Sequence, residues 1–234
     1  MALELVVFDL DGTLVTAEIN FRAMRRAIRD LLLEHGFPVE VLPMNSTQDL
    51  LRSAFAYAGK QGKSPVEISE LRDKVYAAAV KYEWAGAKNA QLVPGAKETL
   101  QALQDHDIRT AILTNDNGEV AKYLLEKFKL SKLIDLLITR DDAPHMKPST
   151  SGLELILRYF NATPTSTLFI GDSTIDIMTA KKLGIPVIAR QSKLLTEDEL
   201  LTEGALVVFP TLIPIIPYLQ DQKMLLPRRM KTKG

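Results

Sequence analysis

Apolar positions along this chain fall into two regimes, and the change of regime outlines its organisation. The opening run Leu5-Val6-Val7 is short and continuously apolar, and it predicts a buried strand over residues 4–9. A long stretch of purely helical period follows. Phe21, Met24, Ile28, Leu31 and Leu32 recur three or four positions apart over residues 20–35, and Gly36 and Pro38 stop the pattern. Residues 46–60 and 65–85 predict two more helices, parted by Gly59-Lys60-Gln61-Gly62-Lys63. No strand signal interrupts them, so a small helical domain is expected over residues 17–90, jointed at 15–18 and 90–94.

From Pro94 onward, helices alternate with short β-branched or apolar runs. Helices are predicted over 98–106, 118–128, 150–160 and 175–183, and strands over 109–114, 136–139, 167–170, 187–189 and 206–209. Continuously apolar strands alternating with helices predict an α/β fold, a parallel sheet covered on both faces. The expected division is a core of residues 1–16 and 91–221, the helical insert of 17–90, and a tail of 222–234.

Composition narrows the function classes. With 46% hydrophobic and 25% charged residues, the 234-residue chain has the make-up of an ordinary globular protein. Formal net charge is zero, which gives no reason to expect nucleic acid as a partner. Lys223, Arg228, Arg229, Lys231 and Lys233 crowd the last stretch beside Asp221, leaving 24 basic against 28 acidic residues elsewhere. That stretch is read as a solvated end. The chain has no Cys, so disulfides, thiolate metal sites and a thiol nucleophile are excluded. No leader-like opening and no run of about 18 apolar residues is present, and the expectation is a cytoplasmic protein without a membrane partner.

Sites in open parallel sheets lie beyond the carboxyl ends of the strands. Here those ends are chemically rich. The first carries Phe8-Asp9-Leu10-Asp11-Gly12-Thr13-Leu14, the second Thr114-Asn115-Asp116 and the fourth Gly171-Asp172-Ser173-Thr174-Ile175-Asp176. After the third comes Arg140-Asp141-Asp142-Ala143-Pro144-His145-Met146-Lys147-Pro148. Alternation along a strand would send Asp9 and Asp11 apart, so the chain must turn at Gly12 for both to serve one site. Asp9, Asp11, Asp172 and Asp176 offer up to four negative charges against the single cation Lys147. A carboxylate set without His or Cys suits a hard, oxygen-loving ion such as Mg²⁺, which shares its shell with phosphate.

On these four segments, present in order, the chain resembles the haloacid dehalogenase superfamily, in its phosphatase branch with phosphoglycolate phosphatase and β-phosphoglucomutase. The resemblance reaches to about residue 220. It implies a Rossmann-like core with an inserted helical cap, and a Mg²⁺-dependent hydrolysis of a small phosphomonoester. It implies that Asp9 is the nucleophile that becomes phosphorylated. Asp11 would protonate the leaving alcohol, then deprotonate water, and offer its backbone carbonyl to Mg²⁺. Thr114 and the amide of Asn115 would bind the phosphoryl group, and Lys147 would neutralise it. Asp172 would ligate Mg²⁺ while Asp176 orients that shell. An acid at position 11 is the family's mark of phosphate-ester chemistry. The rival readings are a sugar-phosphate mutase sharing the aspartyl-phosphate, and a non-catalytic binding module. A monomer or a homodimer is expected.

Other charged positions carry plainer expectations. Asp141 and Asp142 are read as loop acids or caps for the following helix, and His35 as a helix-end residue. Arg22, Arg26 and Arg29, with Arg25 close by, form a solvated helical face unless one of them, or Lys60 or Lys63, reaches an acidic substrate. Trp84 is expected to pack between helices.

Overall fold

The computed structural model describes residues 3–192 and 195–225. Residues 226–234, most of the basic tail, lie outside the described residues. The chain divides into two compact units, one of residues 1–17 and 90–234, the other Glu18–Asn89.

The first unit is built on β1 (Leu5–Phe8), which is buried throughout because it sits at the centre of the sheet. The others are β4 (Arg109–Leu113), β5 (Leu136–Ile138), β6 (Thr167–Gly171), β7 (Val187–Arg190) and β8 (Val207–Phe209). Their order is β5-β4-β1-β6-β7-β8, and every pairing is parallel. Val7 lies opposite Ala111 on one side and Phe169 on the other. Chain order runs outward from β1 to β5, then restarts on the other side at β6. A crevice therefore opens beyond the carboxyl ends of β1 and its neighbours, the position where such sheets bind ligands.

Helices α4 (Ala96–Asp105), α5 (Gly118–Lys127), α6 (Ser151–Phe160) and α7 (Thr174–Lys181) connect these strands, and α8 (Glu197–Glu203) and α9 (Ile215–Asp221) complete the unit. One face of the sheet packs Val7, Leu113 and Phe169 against Leu153, Ile156, Ile177 and Ala180 of α6 and α7. Each residue is under 4% exposed, and burying a side chain of this size contributes about 1.5–3 kcal/mol.

Periodicity alone leaves two helices and a short ribbon of the first unit unread. Helix α8 opens with a capping box in which Thr196 and Glu199 exchange hydrogen bonds, a Thr-x-x-Glu signature that the sequence carries openly. Helix α9 follows Pro214, within an apolar stretch too uniform to register a period. In the ribbon, β2 (Val15–Thr16) pairs antiparallel with β3 (Gln91–Leu92). It lies at the positions expected to be plain joints, and strands this short leave no alternation to detect.

The second unit holds α1 (Phe21–Glu34), α2 (Thr47–Lys60) and α3 (Pro65–Asn89). Met24, Ile28 and Leu32 of α1 are buried along one stripe, with Leu50, Leu51, Ala54 and Ala58 on α2 and Leu71, Val75 and Ala79 on α3. Side chains cap both shorter helices: Asn20 accepts from the Ala23 N–H, and Ser46 accepts from that of Asp49. His35 closes α1 with its Nδ1–H donated to the Leu31 carbonyl at 2.8 Å, while Lys74 reaches its Nε2 at 3.2 Å. Trp84 is half-buried. Arg22 and Arg26 are exposed and Arg25 and Arg29 half-buried; Lys60 and Lys63 are exposed. None of the described helices is long and apolar enough to cross a membrane.

Candidate active site

Asp9 follows the last residue of β1 and is held in the sheet plane by its own N–H, which donates to the Ile170 carbonyl. The chain then turns tightly. The Leu10 carbonyl accepts from the N–H groups of Thr13, Leu14 and Val15, and Gly12 donates back to the Val15 carbonyl. Gly12 adopts φ +90°, and a Cβ there would overlap the Asp172 carboxylate, so two separate constraints require glycine. Gly12→Ala is expected to lower unfolding free energy by at least about 1–2 kcal/mol, the left-handed penalty alone. A urea midpoint equal to that of the parent protein would contradict this account.

Lys147 occupies the centre of the site. Its Nζ donates to Asp9 Oδ1 at 2.5 Å and to Asp176 Oδ1 at 2.6 Å, with all three side chains under 10% exposed. Burial works against the ammonium, but Asp176 and Asp9 outweigh it and hold the Lys147 pKa above the ordinary lysine value. The lysine is located through its backbone: Asn115 Oδ1 accepts from the Lys147 N–H at 2.8 Å, and Asn115 Nδ2 donates to its carbonyl at 3.0 Å. The Lys147–Pro148 peptide is cis.

Asp172 follows β6, and Asp176 sits in the first turn of α7. Asp176 has two tasks. Its Oδ2 accepts from Ser173 N and Oγ and from Asp172 N, closing a capping box, while Oδ1 takes Lys147. One carboxylate thus caps the helix with one oxygen and holds the lysine with the other. Oxygens of Asp9, Asp172 and Asp176 lie within 4.8 Å of one another, the one such group among the described residues. Three buried carboxylates against one ammonium leave excess negative charge, and a hard divalent cation fits that donor set. Burial, followed by Asp176, pushes Asp172 up to about 7, against Lys147, Ser192 and Arg190.

Asp11 lies outside that triangle of carboxylate oxygens. Its Oδ1 accepts from the Ala17 N–H at 2.7 Å. Burial raises its pKa well above the carboxylate norm, Asp116 and Asp172 add to the rise, and the Ala17 and Gly12 N–H groups oppose it. For Asp9 burial raises the pKa, Lys147 pulls it down, and the two other acids push it up, with a net rise.

Thr114 follows the last residue of β4 and is nearly inaccessible, at 2% exposed. Its hydroxyl donates to Asp116 Oδ2 at 2.9 Å and accepts from the Asp116 N–H at 3.1 Å. Asp141 and Asp142 are structural, though not as caps for the helix that follows them. Asp141 Oδ2 accepts from Gly118 N and Asn117 Nδ2, which caps α5, and Asp142 Oδ2 binds Thr139 N and Oγ1. The α5 amides lie nearer because β4 and β5 are neighbours in the sheet. His145 is exposed.

Two residues at the site carried no assigned role in the sequence. Asp116 lies within a motif whose first two letters drew the attention. Arg190, at the end of β7, donates through Nη1 to the Gly12 carbonyl at 2.8 Å and so holds the turn after Asp9. The strand-end rule would have found it had the predicted strand not stopped one residue early.

A family model for haloacid dehalogenase-like hydrolases matches residues 6–190, from β1 to the end of β7. The chain belongs to that family. A phosphoglycolate phosphatase of Yersinia pestis is 30% identical over 232 residues, covering 94% of this chain and 96% of its own. One from Pseudomonas savastanoi pv. phaseolicola is 29% identical over 194 residues, covering 80% and 68%. Among solved structures, a haloacid dehalogenase-like family hydrolase from Streptococcus pneumoniae superposes with a TM-score of 0.64 at 22% identity, over 93% of this chain and 99% of that one.

Proposed function

We propose that this chain is a Mg²⁺-dependent phosphatase that hydrolyses a small phosphomonoester through a phosphorylated Asp9. The observation that carries the reading is Lys147 bridging Asp9 and Asp176, with the Asp172 carboxylate close by at the neighbouring strand end. Relatives named phosphoglycolate phosphatase support the reaction class.

Lys147 engages Asp9 Oδ1, which leaves Oδ2 to attack phosphorus in line. As that bond forms, the bond from phosphorus to the alkoxyl oxygen breaks, and Asp11 hands its proton to the leaving oxygen. An elevated pKa suits that task, because the proton must still be present near neutrality. In the second half Asp11 takes a proton from water, whose oxygen attacks phosphorus and frees Asp9 and inorganic phosphate. Thr114 turns its hydroxyl proton from Asp116 to a phosphoryl oxygen, joined by the Asn115 N–H. Lys147 holds positive charge beside the transferring group, and such preorganised charge supplies most of the acceleration in phosphoryl transfer. Asp9 and Asp172, with the Asp11 carbonyl, would hold Mg²⁺, which would favour the ionised forms of Asp9 and Asp172 and offset the charge of the phosphoryl oxygens. The helical unit is assigned the choice of substrate.

Chelation tests the reading directly. EDTA is expected to suppress release of inorganic phosphate from p-nitrophenyl phosphate by at least about 100-fold, and Mg²⁺ to restore it. Metal-independent turnover would overturn the proposal. Isomer formation that requires a bisphosphate would point to a mutase instead.

A further inference from the structure

The acid after Asn115 has no task in the mechanism above, yet it is firmly placed. Asp116 is half-buried and tied twice to the Thr114 hydroxyl, through its carboxylate and its own N–H. Asn115, one residue earlier, is clamped on the Lys147 backbone, so the segment has little room to move. In the sheet, β1 and β4 are direct neighbours with Phe8 opposite Ile112. The segments that leave these strands, carrying Asp11 and Asp116, therefore emerge side by side. Of the charges around Asp11, that of Asp116 weighs most, ahead of Asp172. Lys147 and Arg140 lie near enough to offset part of the Asp116 charge, although Lys147 also binds Asp9 and Asp176 and Arg140 donates through Nη1 to the Asn115 carbonyl.

In the proposed reaction Asp11 faces the oxygen of the departing alcohol. A leaving group therefore departs next to two acids. We propose that Asp116 selects the leaving group, disfavouring alcohols that carry a carboxylate close to the ester oxygen and favouring neutral polyol or amino-alcohol monoesters. The inference rests on the phosphatase reading and narrows its substrate class. The physical ground is simple. Like charges a few ångströms apart in a partly dry site interact far more strongly than in water. A small carboxylated alcohol such as glycolate has no length with which to move its charge away.

Specificity constants for phosphoglycolate, glycerol 1-phosphate and phosphoethanolamine, measured with Mg²⁺, test this. The parent protein is expected to prefer each of the last two over phosphoglycolate by at least about tenfold, or 1.4 kcal/mol. In Asp116→Asn, and independently in Asp116→Ser, the preference should shrink about tenfold through a relative gain on phosphoglycolate. A purely structural role would lower all three constants together and leave the ratios in place. A parent preference for phosphoglycolate, or ratios unmoved in both variants, would overturn the inference while ester hydrolysis left the phosphatase reading intact. Hydrolysis of none of these esters, nor of p-nitrophenyl phosphate, would overturn both.

Discussion

Asp9→Asn is expected to reduce phosphate release by at least about 10³-fold while leaving the fold in place, since a nucleophile acting within a concerted set cannot be half removed. The amide is nearly the size of the carboxylate and cannot form the phosphorylated intermediate. The site should tolerate it structurally. Burial raises the Asp9 pKa, so the charged form is costly there, and Lys147 keeps its second partner in Asp176. Circular dichroism and a thermal melt should therefore overlay those of the parent, with steady-state phosphate release as the measurement that separates them. Residual turnover above about one-hundredth of the parent rate would remove Asp9 as nucleophile.

Lys147→Met should act on stability as well as on turnover. It removes the cation but leaves Asp9 and Asp176 buried, facing the space that the ammonium filled. Breaking a buried pair from one side costs about 3–5 kcal/mol because the abandoned charge has nowhere to go. For a unit of this size that is a fall in melting temperature on the order of 10 °C. Adding Asp9→Asn to the same chain should recover part of the loss, because only Asp176 then remains uncompensated. Such coupling is what a double-mutant cycle reads. Additive losses would mean that the two side chains do not share the interaction seen at 2.5 Å.

The parts legible in the sequence and the parts that were not differ in physical kind. The six parallel strands were readable because each holds a short apolar run, and the near-complete burial of the central strands β1, β4 and β6 records that the sheet is covered on both faces. Asp9, Lys147, Asp172 and Asp176, singled out from segments that follow the strands, come together in the structure. What sequence could not carry was pairing between segments far apart. Arg190 meets the Gly12 carbonyl across 178 positions, and Asn115 locates Lys147 across 32. Neither relation leaves a local pattern. Asp141 illustrates the same limit in reverse. Proximity in the chain suggested the helix downstream, whereas strand adjacency delivers its carboxylate to the start of α5. Asp116 was in view throughout and went unassigned, because its significance lies in what stands beside it.

The ribbon of Val15–Thr16 with Gln91–Leu92 has an evolutionary consequence. It fastens the two points where the helical insert leaves and rejoins the sheet unit, so the insert's outgoing and returning ends are already paired. Closing a loop whose ends are fixed depends only weakly on its length. Insertions, deletions or wholesale exchange between those anchors can thus proceed with little penalty to the sheet. A sheet unit anchored in this way can accept a different insert and keep its own strand pairings.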